Sequence, residues 1–419
     1  MKQMKRKAAG RVHGFSHKRS PAKRMIKTAR RFNSTRSWRG HIKMKRSGGR
    51  RLSNTRRRFV RAYRDTRPYP HQSSGQTAAD HRVVISAEWL RAAAEAGQTD
   101  GREYAGACGT PSCARRAEII RRMQTHFTHF AERNLPNALA YFQIKELAAA
   151  YRKGFAVPFF PQANDAVLLP TTRTMGAVLT ACNEENSIAT VMKELSRLPL
   201  DETIVIVNGS TDNTLHAVRQ SSDEATVVHY PEALGHDVGR SIGAKLSRAD
   251  IVLFVDGDFS IPAEEMGAFV WSVHNGVDVA LNDIGPFLHN FDKQDGITHC
   301  KQWLNRCLGR DDLYANSMTA IPHALSRKAL DIIGIQALSV PPKAQALAIA
   351  RGLHVRSVHA VDVINKNRVR ATNIGSDNPV ADLILGDHLE ALRVLMDEGA
   401  SMLRSDQQRE RIALRRNSI

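Results

Sequence analysis

The sequence predicts an α/β protein built on a mostly parallel sheet with helices on both faces, preceded by a helical segment and a basic arm. Three observations carry the prediction. Apolar, β-rich runs alternate with helical segments from residue 176 to residue 281. The runs are continuously apolar rather than alternating, as strands covered on both faces must be. Small, polar and charged residues gather directly after each run, where open parallel sheets bind their ligands.

Residues 1–80 read as a disordered arm. Of the chain's 61 Lys and Arg residues, 25 lie in residues 1–70, with Asp65 the one acid there. The remaining 36 basic residues are balanced by 40 acids, so the net charge of +20 belongs to the arm. Aromatics such as Phe15, Trp38 and Tyr63 are interleaved with its arginines. That pattern suits a polyanion or an anionic membrane surface, and the attraction is expected to be salt-sensitive.

Residues 81–157 form a helical accessory segment. "SAEWLRAAAEAG" (86–97) has Ser86 at an N-cap position and Gly97 at its expected end. Helical spacing of apolar residues continues over 114–134 and 138–155. The Pro-punctuated stretch 158–174 reads as a linker. The main domain spans 174–395, with a charged C-terminal helix or tail over 396–419. Its strands are expected at 176–182, 203–207, 225–230, 251–255 and 277–281, with helices near 187–198, 212–221, 239–248 and 263–274.

Five scattered cysteines fit a reducing compartment. The spacings Cys108–Cys113 and Cys300–Cys307 match zinc sites poorly, and isolated thiols are expected. No apolar run reaches bilayer length and no apolar signal core follows the N-terminus. The expected location is the cytoplasm, with peripheral attachment at the inner membrane face through the arm.

The chemistry-bearing residues follow the strands. After the first, Asn183 is expected to cap the next helix, with Glu184 and Glu185 in its first turn. After the second, "NGSTDNT" (208–214) offers Gly209 and Ser210 for close backbone approach and Asp212 as an acceptor for a sugar or base. In "GHDVGRSIGAKL" (235–246) the glycine spacing is wrong for a dinucleotide fingerprint. Arg240 there can pair with a diphosphate, or be a surface arginine. After the fourth strand comes "FVDGDFSIP" (254–262). Asp256 and Asp258 are two apart in extended chain and converge on one side. Two hard oxygen donors suit Mn²⁺ or Mg²⁺ with positions left for phosphate and water.

In order and separation, "VLTACNEENSIATVMKEL", "IVIVNGSTDNT", "GRSIGA" and "ADIVLFVDGDFSIP" resemble the family 2 glycosyltransferases and their relatives with the GT-A fold. The resemblance is strong over 174–275 and weaker to about 395. It implies a metal-dependent hexosyltransferase that takes a UDP- or GDP-linked sugar to an unidentified acceptor. It further implies that Thr180 and the loop Asn208, Gly209, Ser210 and Asp212 line the nucleotide pocket. Arg240 and Asp256 then contact the nucleotide-sugar, and Asp256 and Asp258 hold the metal. Many relatives have two Asp where this chain has Val207 and Asn208, so the base is left open. The Glu-Asp pair that inverting relatives keep on the acceptor side is absent. Asp283, in "LNDIGP" after the fifth strand, is the expected base by position, and inversion or retention stays open. Some relatives add a late His to the metal, for which His354, His359 and His388 are candidates. Two other classes compete: a polyanion- or nucleic-acid-binding protein, which the arm would explain, and a glycosyltransferase-fold scaffold without catalysis.

Overall fold

The computed structural model describes residues 85–108, 115–136, 139–366 and 379–397. The basic arm, Cys113, residues 367–378 and the tail past Asp397 lie outside them. The first three helices among the described residues are α1 (Ala87–Cys108), α2 (Arg116–Asn134) and α3 (Tyr141–Phe159). Ser86 caps α1, its hydroxyl accepting the Trp89 N–H at 3.2 Å. The expected stop at Gly97 does not occur. Gly97 lies where α1 meets α3, and a Cβ there would stand 2.1 Å from the Tyr151 carbonyl oxygen. Gly154 of α3 is its counterpart, 2.1 Å from the Ala94 oxygen by the same measure. Glycine serves backbone contact here, not termination, and the contact joins residues more than fifty positions apart.

The stretch read as a linker is built into the core. Ala163, Ala166, Leu168 and Leu169 are buried, and the Leu169 N–H donates to Gln124 of α2 at 2.9 Å. Beyond it the predicted alternation appears: β1 (Met175–Ala181), α4 (Ile188–Leu195), β2 (Glu202–Asn208), α5 (Thr214–Ser221), β3 (Thr226–Tyr230), α6 (Val238–Leu246), β4 (Ile251–Asp256), α7 (Ala263–His274) and β5 (Val279–Asn282). The second half adds α8 (Gly296–Cys307), β6 (His323–Ser326), α9 (Arg327–Ile333), α10 (Pro341–Ala350), β7 (Val355–His359) and α11 (Pro379–Asp397).

The seven strands form one sheet in the order β3-β2-β1-β4-β6-β5-β7. All pairings are parallel except those of β6, which runs antiparallel to β4 and β5. Strand periodicity divides the core. Leu253 and Val255 of β4 join one buried cluster with α4, α7 and the N-terminal helices. Val252 and Phe254 face the other, with α9, α10 and α11. The helices α1–α3 share the first of these clusters with the sheet rather than closing a core of their own.

Helix α6 lies directly on β1. A Cβ on Gly243 would meet Val178 Cγ1 at 2.2 Å, and one on Gly239 would meet Thr180 Cγ2 at 2.9 Å. The glycines of "GRSIGA" thus let a helix sit unusually close to the strand, and the residue between them, Arg240, is carried over the carboxyl edge of the sheet.

Candidate active site

Asp256 is the last residue of β4, opposite Thr180 of β1 in the parallel register. The Thr180 hydroxyl donates to Asp256 Oδ1 at 2.6 Å. Arg240 donates from Nη2 to Asp256 Oδ2 at 3.2 Å and from Nη1 to the Met318 carbonyl at 3.0 Å. Its Nη1 also lies 3.2 Å from Asp237 Oδ1, one helical turn earlier. Arg240 is 5% exposed, which removes the surface-arginine reading. Burial works to lower its pKa, but Asp237, Asp256 and Asp258 outweigh it and hold the guanidinium above its usual value. One buried cation therefore has carboxylate oxygens of Asp237 and Asp256 at 3.2 Å each, with Asp258 near enough for its charge to act on it, so acidic groups outnumber the cation here.

That excess and the donor chemistry fit a divalent ion. Both oxygens of Asp256 are oriented by protein donors, and Asp258 follows two residues on at the same edge. Among the described residues no three His, Cys, Asp or Glu side chains form a ready-made metal cluster. The late histidines sit elsewhere: His354 precedes β7 at the opposite sheet edge, its ring against the Gly276 carbonyl. His388 lies buried on α11, and His359 packs edge-on against Phe269 of α7.

The loops beside this cluster are laced together. Asn183 has φ 59° and caps no helix, since α4 begins only at Ile188. Its Oδ1 accepts the Thr211 N–H at 2.8 Å, while its own N–H donates to Ser210 Oγ at 3.1 Å. Asp212 Oδ1 accepts from Thr214 N–H and hydroxyl at 3.0 and 2.5 Å, and Oδ2 from the Glu185 N–H at 3.1 Å. Burial would raise the Asp212 pKa, but these donors lower it. Asp212 is thus a brace between two loops. Asn208 is one as well, accepting the Leu234 N–H and donating to the Gly235 carbonyl, each at 2.9 Å. Gly209, at φ 71°, makes the turn between them.

Asp283 follows β5, two strand spacings or roughly 10 Å from β4. Its Oδ1 accepts from the Gly285 N–H at 3.1 Å and from Asn316 Nδ2 at 3.0 Å. Fully buried His323 of β6 stacks on Phe254. Burial and the charge of Arg240 push its pKa down to about 3, so the ring is neutral. The sequence reading missed Asp237, the Met318 carbonyl and the tie from Thr180 to Asp256. An acid three residues before a helical arginine was the one local signal available, for Asp237.

Residues 177–324 match the family model for glycosyl transferase family 2. Glucosyl-3-phosphoglycerate synthase of Mycolicibacterium paratuberculosis is 39% identical over 102 residues, 22% of this chain and 30% of that protein. The synthase of Mycobacterium tuberculosis is 37% identical over 102 residues, with the same coverage. The chain thus aligns with under a third of the length of these relatives. A solved structure of the M. tuberculosis synthase with Mn²⁺, uridine diphosphate and phosphoglyceric acid superposes with a TM-score of 0.43 at 17% identity, covering 61% of this chain and 84% of that one.

Proposed function

We propose that this glycosyl transferase family 2 domain moves a sugar from a nucleoside diphosphate sugar to an acceptor hydroxyl with the help of Mn²⁺ or Mg²⁺. The observation that carries the reading is the cluster at the end of β4, where Arg240 faces Asp237, Asp256 and Asp258. Asp256 and Asp258 would hold the metal, which supplies Lewis-acid neutralisation of the diphosphate as it leaves. Thr180 orients Asp256, and Arg240 adds a buried cation that needs no reorganisation as charge develops. The loop 208–214 lies beside them for the nucleoside, its backbone fixed by Asn183, Asn208 and Asp212.

Asp283 is the group proposed to take the acceptor proton. Its Oδ1 is anchored by Gly285 and Asn316, which leaves Oδ2 to face the acceptor. An inverting reaction needs that base; a retaining one runs without it, so the anomer formed tests the role. The donor is a UDP- or GDP-linked sugar. Phosphoglycerate, on which the synthases named above act by name, is the first acceptor to try.

Among the described residues no helix is long and apolar enough to cross a membrane. The basic arm is proposed to attach the enzyme peripherally to an anionic surface at the inner face of the membrane, where salt would release it. The deciding experiment is a screen of UDP- and GDP-sugars for hydrolysis and transfer, with and without Mn²⁺. Metal-dependent release of a nucleoside diphosphate supports the reading. Absence of turnover together with absence of thermal stabilisation by any Mn²⁺–nucleotide pair leaves the non-catalytic scaffold instead.

A further inference from the structure

The motif "PPKAQALAIARGL" (341–353) has no part in the reading so far. Its two prolines open α10 at the first helical positions, and Gln345 follows one turn later. Gln345 is 1% exposed, on a helix whose other polar side chain, Lys343, pairs with Glu390 instead. A buried amide needs partners at both ends. Gln345 Oε1 accepts the Met318 N–H at 2.9 Å, and Nε2 donates to Asn305 Oδ1 at 2.7 Å and to the Asn316 carbonyl at 3.3 Å. Asn305, also 1% exposed, donates to the carbonyls of Tyr314 and Asn316 at 2.8 and 3.1 Å. Two amides therefore clamp the chain over 314–318, a stretch with no strand or helix of its own.

The clamp leads to the site. Residue 318, fixed by Gln345 through its N–H, presents its carbonyl to Arg240 Nη1 at 3.0 Å. Asp237 lies against the same nitrogen and Asp256 accepts from Nη2, but both are acidic side chains, and Asp256 is a proposed metal donor. A neutral carbonyl fixes the orientation of the cation without cancelling its charge. We propose that Gln345 is a positioning residue: through Met318 it sets the plane of Arg240, and so the cation that receives the diphosphate. The claim about the diphosphate rests on the function proposed above; the claim about Arg240 does not.

The test reads the two separately. With ¹⁵N-labelled arginine, the guanidinium signal of Arg240, assigned with Arg240→Lys, reports its hydrogen exchange without any ligand. Gln345→Met keeps the volume and removes all three hydrogen bonds. It should speed that exchange by about tenfold or more. Should Gln345→Met not fold, Gln345→Asn, one methylene shorter, takes its place. Affinity for Mn²⁺ with UDP or GDP should fall about tenfold in Gln345→Met but less than twofold when Arg240 is already Ala, because the effect passes through Arg240. Unchanged exchange at Arg240 overturns the proposal, as does an equal affinity loss in both backgrounds. If the wild-type protein binds neither nucleotide while Gln345→Met still frees Arg240, the positioning role stands and the proposed function falls.

Discussion

Asp256 and Asp258 differ in what surrounds them, and their substitutions should differ accordingly. Asp258→Asn is expected to lower metal-dependent turnover at least about a hundredfold with little change in melting temperature. Asp256→Ala should do the same and also destabilise the fold, because it takes one of two carboxylate partners from the buried Arg240 and the acceptor from the Thr180 hydroxyl. Turnover close to wild type in both variants would end the metal reading. His323 makes a pH prediction. Its folded pKa lies below the ordinary imidazole value, so it contributes stability that is present above about pH 6.5 and lost as pH falls toward about 3. His323→Phe should flatten that part of an acid unfolding profile followed by circular dichroism. At this scale the sequence was informative where chemistry and strand coincide, as in "FVDGDFSIP". It was silent where a side chain serves another. Nothing local tells that Thr180 orients Asp256, or that Asn208 and Asp212 brace loops, because their partners lie on other segments.

The elements that carry the site depend on close packing. Gly243→Ala places a methyl group against Val178, and α6 must lift from β1. The expected cost is about 1–3 kcal/mol, read as a lower melting temperature, with a loss of nucleotide affinity as Arg240 shifts. Helix α11 makes the opposite kind of prediction. Asp387 is pushed up to about 6 by burial, with Asp237 and Glu390 adding repulsion and His236 opposing it. A raised carboxyl pKa destabilises the fold as pH rises from about 4 through 6. Asp387→Asn should therefore stabilise the fold at pH 8, by up to about 1 kcal/mol after solvent screening and read as a higher melting temperature, and leave stability unchanged at pH 4. The apolar strands β1, β2 and β4 were legible because burial on both faces leaves one pattern, and the strand–helix alternation placed β3 and β5. The four residues of β6 were not, since they follow an irregular stretch and stand outside that alternation. Gly97 misled because the backbone contact it permits, with α3, is long-range.

For the whole molecule, the shared core sets which truncations are tolerated. Removing residues 1–75 should leave folding and Mn²⁺–nucleotide binding intact, while salt-sensitive retention on anionic vesicles disappears. Removing residues 1–159 should abolish folding. It removes Ile120, Phe127, Leu147 and Phe155 from the cluster they share with α7 and the buried stretch 163–169, and the apolar area left exposed exceeds what a marginal stability can bear. Circular dichroism of the two truncations separates them. The antiparallel strand has a further consequence, for synthesis on the ribosome. Strands β1 to β4 can pair as they emerge, but β5 neighbours only β6 and β7, which begin at residues 323 and 355. The nascent chain therefore carries an apolar strand without a partner until β6 inserts beside β4. Met318, the neutral contact of Arg240, arrives just before that strand. Closing the sheet and completing the anchorage of Arg240 are thus late events, and chains stalled before residue 323 should be the ones that chaperones capture.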